Sequence, residues 1–152
     1  MSYKEKSIVL SLLITLYLIY AYYSGLISLA DNNLLNEESF KALLMRTTTF
    51  IITLAIVGHI IMAIIHAKEA NNDDDERDKL IEMKSSQSAY LILVLGVIFT
   101  VMQVQLGEYV SGGINFNSLS MGYNMIHCII MSLLLAEVSR YSYQLFYYRR
   151  GC

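Results

Sequence analysis

The chain has 152 residues, 55% of them hydrophobic, with 11 basic and 13 acidic side chains and no proline. Its mean hydropathy of +0.46 is too high for a water-soluble domain of this length. The near-balanced charge, without a polybasic tract, excludes direct nucleic-acid binding, and two isolated cysteines, Cys128 and Cys152, do not form a disulfide framework.

The first apolar block covers residues 8–29, behind Lys4 and Lys6. It outruns the roughly 7–15 residues of a secretory signal core, although Ser28-Leu29-Ala30 has a cleavage-like pattern, so it reads as a retained first span. Tyr17, Tyr20, Tyr22 and Tyr23 crowd its far half, where phenol rings favour the headgroup level, and they read as an aromatic belt. A tyrosine-lined pocket there would need polar partners from elsewhere.

Asn36 followed by Glu37 and Glu38 predicts a helix start, with the amide as N-cap and the carboxylates favoured by the helix dipole. Nothing breaks the pattern afterwards, so this helix is expected to continue through Met45 and Arg46 into a second span at 47–67.

The connection 68–84 is the most charged part of the sequence, centred on Asp73, Asp74, Asp75, Glu76, Arg77 and Asp78. These acids suit the capped start of a helix leading into a third span at 90–106, supported by the Asp75/Lys79 and Asp74/Arg77 spacings. The run lacks the spaced ligands and central glycine of a calcium loop. Residues 107–120 contain Gly112-Gly113 and no Lys or Arg, which marks a turn-rich loop. The fourth span, 121–143, leads into an aromatic and basic tail ending at Arg149 and Arg150. Gly58 and Gly96 are placed to permit close helix contact.

The fold expected is therefore all-α: a polytopic membrane protein, a single domain over 1–152, built as an antiparallel bundle of four transmembrane helices. Lys and Arg gather near the N-terminus, in the second connection and in the C-terminal tail, so both termini are expected on the cytoplasmic side of an inner membrane.

Candidate polar groups within the membrane fall into three sets. His59 and His66 share a face of the second helix. Counted from the outer helix ends, however, His59 lies ~18 Å deep and His127 only ~9 Å, which disfavours a bis-histidine haem sandwich. Gln103, Asn124 and His127 form an outer group suited to interhelical hydrogen bonding. Glu137 is costly within a membrane and is expected to pair with Arg140 or His66, as a clamp or as a proton relay. No Ser-His-acid arrangement, HExxH motif or phosphate-binding glycine loop occurs in the sequence. No catalytic, cofactor-binding or metal-binding residue is assigned, and a non-enzymatic role is expected.

The segment Asp75-Glu76-Arg77-Asp78-Lys79-Leu80-Ile81-Glu82-Met83-Lys84, followed by Tyr90 at an apolar span, resembles an uncharacterised family of small four-span prokaryotic membrane proteins. That family carries a similar Asp-Glu-Arg-Asp/Glu motif in a central inner loop. Its members are often companions of small helix-turn-helix regulators, which implies a regulatory or signalling role and transfers no catalytic residue. The tyrosine-rich first span and long C-terminal tail depart from its layout.

The leading functional expectation is an accessory or regulatory membrane protein, embedded in the lipid bilayer, that presents acidic residues 73–78 to a cytoplasmic protein partner. The alternatives are a small homo-oligomeric transporter or proton-coupled permease using Glu137 with His59 or His66, and a haem-binding electron carrier.

Overall fold

A computed structural model describes residues 3–65, 76–106 and 119–150. The described residues form four helices: α1 (Tyr3–Asp31), α2 (Glu37–Ile65), α3 (Glu76–Leu106) and α4 (Met121–Arg150). Each is long and apolar enough to cross a membrane. The molecule is an all-α four-helix bundle, as the sequence predicts.

The α1–α2 turn shows how local chemistry sets the helix ends. Asn33 adopts a left-handed conformation, φ 55°, while Leu34 N donates to Leu29 O (2.9 Å) and Asn33 N to Ala30 O (3.0 Å). This paired closure satisfies carbonyls that the end of α1 would otherwise leave bare. Asn36 then caps α2 as expected: Ser39 N donates to Asn36 Oδ1 (2.8 Å), and Asn36 N donates back to Ser39 Oγ (3.3 Å). At the other extreme, α4 passes the expected limit of 143 and continues to Arg150. Nothing in the tail breaks a helix, and Arg149 and Arg150 suit its negative end.

The main helix contacts pair α1 with α2, α1 with α4, and α3 with α4. Their lateral order is therefore α2–α1–α4–α3. The closest approach joins α3 to α4, where Gly96 lies directly against Ser132: a Cβ at Gly96 would collide with the Ser132 side chain. Ser85 is fully buried, Ser88 and Ser139 share a hydrogen bond (3.1 Å), and Ala136 is buried in α4. Small residues let the two backbones approach, which drives membrane-helix association where lipid supplies no hydrophobic force between helices. Gly58 faces Leu10 and Ile14 at ordinary contact distance, and Gly25 meets Leu43 more closely.

A buried cluster of Tyr22, Leu26, Leu35, Phe40 and Leu119 fills the end that contains the α1–α2 turn. Phe40 reaches the start of α4, with its ring edge-on to Tyr123 at 5.9 Å. The opposite end, called the terminal end below, gathers the start of α1, the start of α3 and the end of α4. Long apolar side chains such as Ile52, Ile56, Ile60, Leu91, Leu95 and Ile98 are exposed around the girth, as a lipid-facing surface requires.

Candidate functional site: a charged cleft at the terminal end

Two cross-helix ion pairs organise the terminal end. Lys4 Nζ on α1 bonds Asp78 Oδ2 on α3 at 2.6 Å, and Tyr148 Oη on α4 donates to Asp78 Oδ1 at 2.8 Å. Asp78 therefore ties together three helices. About one turn deeper, Arg140 Nη2 on α4 reaches Glu82 Oε1 on α3 at 3.4 Å. Gln144 Nε2 donates to the buried Ser85 Oγ at 3.0 Å.

These residues surround a cleft of about 250 Å³. Helix α1 lines it with Lys4, Ser7 and Ser11, and α3 with Asp78 and Glu82. From α4 come Arg140, Tyr141, Gln144 and Tyr148. Along α1, Lys4, Ser7 and Ser11 recur at three- and four-residue intervals, so one helix face carries all three. Residues 140, 141, 144 and 148 do the same on α4.

Glu137 lies behind the cleft wall as a neighbour of Tyr141, which lines the cleft and faces both the Glu137 carboxylate and the Ser11 hydroxyl. Its Oε2 is buried without a hydrogen-bond partner among the described residues, and so is Arg140 Nε. The Glu137–Arg140 clamp expected from the sequence does not form, because Arg140 extends across the α3–α4 seam to Glu82 instead. The i,i+3 spacing makes the first pairing sterically available, but packing of α3 on α4 supplies a carboxylate on a neighbouring helix. His66, the other expected partner, lies outside the described residues. Glu137 is nonetheless enclosed by protein rather than directed alone into lipid.

The remaining candidates separate. Ser11 Oγ and His59 Nε2 share a hydrogen bond at 3.2 Å, which continues the polar column from the cleft towards α2. In the other half, Tyr22 Oη and His127 Nδ1 are 2.6 Å apart, with the two rings stacked. Ser11 and Tyr22 are eleven positions apart on α1, so the two histidines sit at levels separated by ~16 Å. The outer group also divides: Asn124 Nδ2 donates to Leu119 O (3.1 Å), and Cys128 Sγ to Gln103 Oε1 (3.5 Å). Tyr22 is thus a polar partner that the belt reading did not single out. Its separation from His127 by 105 positions leaves no local signal, and only the α1–α4 register joins them.

Among the docking candidates, Asp73, Asp74 and Asp75 lie outside the described residues. Glu76 and Arg77 are exposed at the start of α3, whereas Asp78 is partly buried in the bundle. Among the described residues, no group of three or more His, Cys, Asp or Glu side chains is arranged to hold a metal ion. Comparisons with protein-family models, curated proteins and solved structures give no match.

Proposed function

We propose that this chain is a non-enzymatic accessory or regulatory protein of a prokaryotic inner membrane that offers the start of α3, with the acidic residues preceding it, to a cytoplasmic protein partner. The supporting observation is mechanical. Helix α3 is a single helix of 31 residues whose first turns are anchored by Lys4 and Tyr148 on Asp78, by Arg140 on Glu82, and by burial of Ile81 and Ser85. A surface held in this way loses little conformational entropy when a partner docks. Its exposed side includes Lys79, Leu80, Met83 and Lys84. Asp73, Asp74 and Asp75 add negative charge in the sequence just before it, suited to a basic partner surface. The family resemblance of the Asp75–Asp78 motif points the same way.

The test is capture from native membranes. A partner retained by the native chain should be lost from D73N/D74N/D75N, which leaves Asp78 and its helix ties intact. Equal retention by both would refute this mode of docking.

A second reading, a small oligomeric transporter or proton-coupled permease, is favoured by one observation: Glu137 Oε2 is buried without a hydrogen-bond partner among the described residues, next to Tyr141 in the wall of a polar cleft. The opposite half is closed by Tyr22, Leu26, Phe40 and Leu119, so transport requires rearrangement there. Proton flux in proteoliposomes that disappears in E137Q would support this reading; flux no greater than in empty liposomes would eliminate it.

A further inference from the structure

We propose that the groove between α1 and α2, near the α1–α2 turn, binds the phosphodiester of an anionic bilayer lipid whose headgroup carries hydroxyls and no ammonium, as a glycerol headgroup does. This site lies at the opposite end from the surface offered to a protein partner and does not depend on it.

Charge selects the ligand. The groove has a volume of about 440 Å³, and around Arg46 the first helix lines it with small side chains only, Ala21, Ser24, Gly25 and Ser28. Among the described residues no carboxylate lines it, and Arg46 is exposed without a hydrogen bond or ion pair to any of them. Its positive charge is therefore uncompensated, which favours an anion. The serine hydroxyls add donors beside it. Elsewhere in the spans hydroxyls bond back to the carbonyl four residues earlier, as Thr15 does to Ser11 O, Thr53 to Thr49 O and Thr100 to Gly96 O. The exposed Ser24 and Ser28 hydroxyls make no such bond among the described residues, so both are free to donate to phosphate oxygens held by the guanidinium.

Depth points to a lipid as the source of the phosphate. Arg46 stands nine positions after Glu37, ~13 Å along α2. A helix of ~45 Å overhangs a roughly 30 Å core by ~7 Å at each end, so the Arg46 backbone lies about one turn inside the acyl region. Long side chains of a helix lean towards its start, which carries the guanidinium back to headgroup level while its stem stays along the groove. About one turn deeper, the rings of Tyr17 and Phe50, 6.2 Å apart, offer an apolar wall to an acyl chain. A free anion gains nothing from that wall. A zwitterionic headgroup is disfavoured because its ammonium finds no carboxylate in the groove, whereas glycerol hydroxyls can exchange hydrogen bonds with Ser24 and Ser28.

The test uses the full chain. It contains no tryptophan, so Phe50→Trp, at a ring 52% exposed, places a single fluorophore in the groove. The protein is reconstituted in phosphatidylcholine bilayers containing brominated phosphatidylglycerol, phosphatidylethanolamine or phosphatidylcholine, and quenching reads the relative occupancy of each lipid at this position. Phosphatidylglycerol should occupy the groove about tenfold more readily than the other two, as a charge-assisted contact implies. R46Q should bring that preference close to unity. K41Q removes an exposed cation of the same helix that does not line the groove, and should leave the preference unchanged. Tyr17→Trp reads the same groove from α1 should F50W fail to fold. Equal occupancy by all three lipids would overturn the proposal, as would a preference that survives R46Q or is lost equally in K41Q, since either marks diffuse surface charge rather than a site. Occupancy by phosphatidylethanolamine matching that by phosphatidylglycerol would overturn the selection for net charge. Relief of quenching by inorganic phosphate, at ionic strength matched with chloride, would reassign the groove to a free anion and overturn the lipid as its occupant.

Discussion

The Tyr22–His127 pair shows most clearly how a single atom contributes to this bundle. Both residues are 2% exposed, and their 2.6 Å hydrogen bond and ring stacking join the halves of α1 and α4 nearer the α1–α2 turn. Tyr22→Phe keeps the ring and leaves a ring nitrogen of a buried histidine without its partner, which should reduce stability by about 1–2 kcal/mol. Tyr22→Ala also opens a cavity and should cost about 3–5 kcal/mol. Tyr20→Phe, at a ring 69% exposed, should have no measurable effect. Reversible unfolding in mixed micelles checks the ranking, and equal stability of native protein and Y22F would remove the bond from the account. Tyr17, Tyr20 and Tyr23 are exposed on α1, while Tyr22 is buried against His127. Four tyrosines within seven positions look alike until helix phase and a facing histidine distinguish one. Arg140 illustrates the same limit, since sequence spacing offers Glu137 as its partner and packing offers Glu82.

At the scale of the helix, far more was legible. The absence of proline, the Asn36 cap and four long apolar blocks are local signals, and they yield four helices with the expected start of α2. The extent of α4 was less clear because its tail is rich in tyrosine and arginine rather than apolar residues. Its continuation to Arg150 changes the meaning of the start of α3. The first turns of α3 do not project alone, because α4 and the first turn of α1 run beside them and meet at Asp78. Amide hydrogen exchange should consequently show protection across Leu80 to Ser88 comparable with that of the apolar part of α3. Lys4→Ala combined with Tyr148→Phe should accelerate exchange near Asp78 while leaving the deeper Gly96–Ser132 seam protected. Rapid exchange throughout Leu80 to Ser88 in the native protein would refute a rigid docking surface.

At the scale of the whole molecule, the four helices have 29, 29, 31 and 30 residues. Each is about 45 Å long against a hydrocarbon core of roughly 30 Å, so the bundle tilts or extends into the headgroups at its ends. The charges distinguish the two ends. Lys4, Lys6, Arg77, Lys79, Lys84, Arg140, Arg149 and Arg150 belong to the terminal end, while Lys41 and Arg46 belong to the first turns of α2 at the other. Lys41 lies over the Tyr123 ring, 5.4 Å from its centroid. Because translocating basic residues near a span is unfavourable, this asymmetry predicts a cytoplasmic terminal end. The partner-docking proposal depends on that orientation, for otherwise the start of α3 would face away from cytoplasmic proteins. A cysteine-free background, C128A/C152S, permits a direct measurement with single cysteines at Asn33 and Lys79, which are exposed at opposite ends. In intact cells stripped of any outer membrane, an impermeant maleimide should label N33C and spare K79C, and permeabilisation should make both reactive. Labelling of K79C alone before permeabilisation would invert the topology and remove a cytoplasmic partner from consideration. Labelling of both would show mixed insertion, meaning that Lys41 and Arg46 offset the cations of the terminal end.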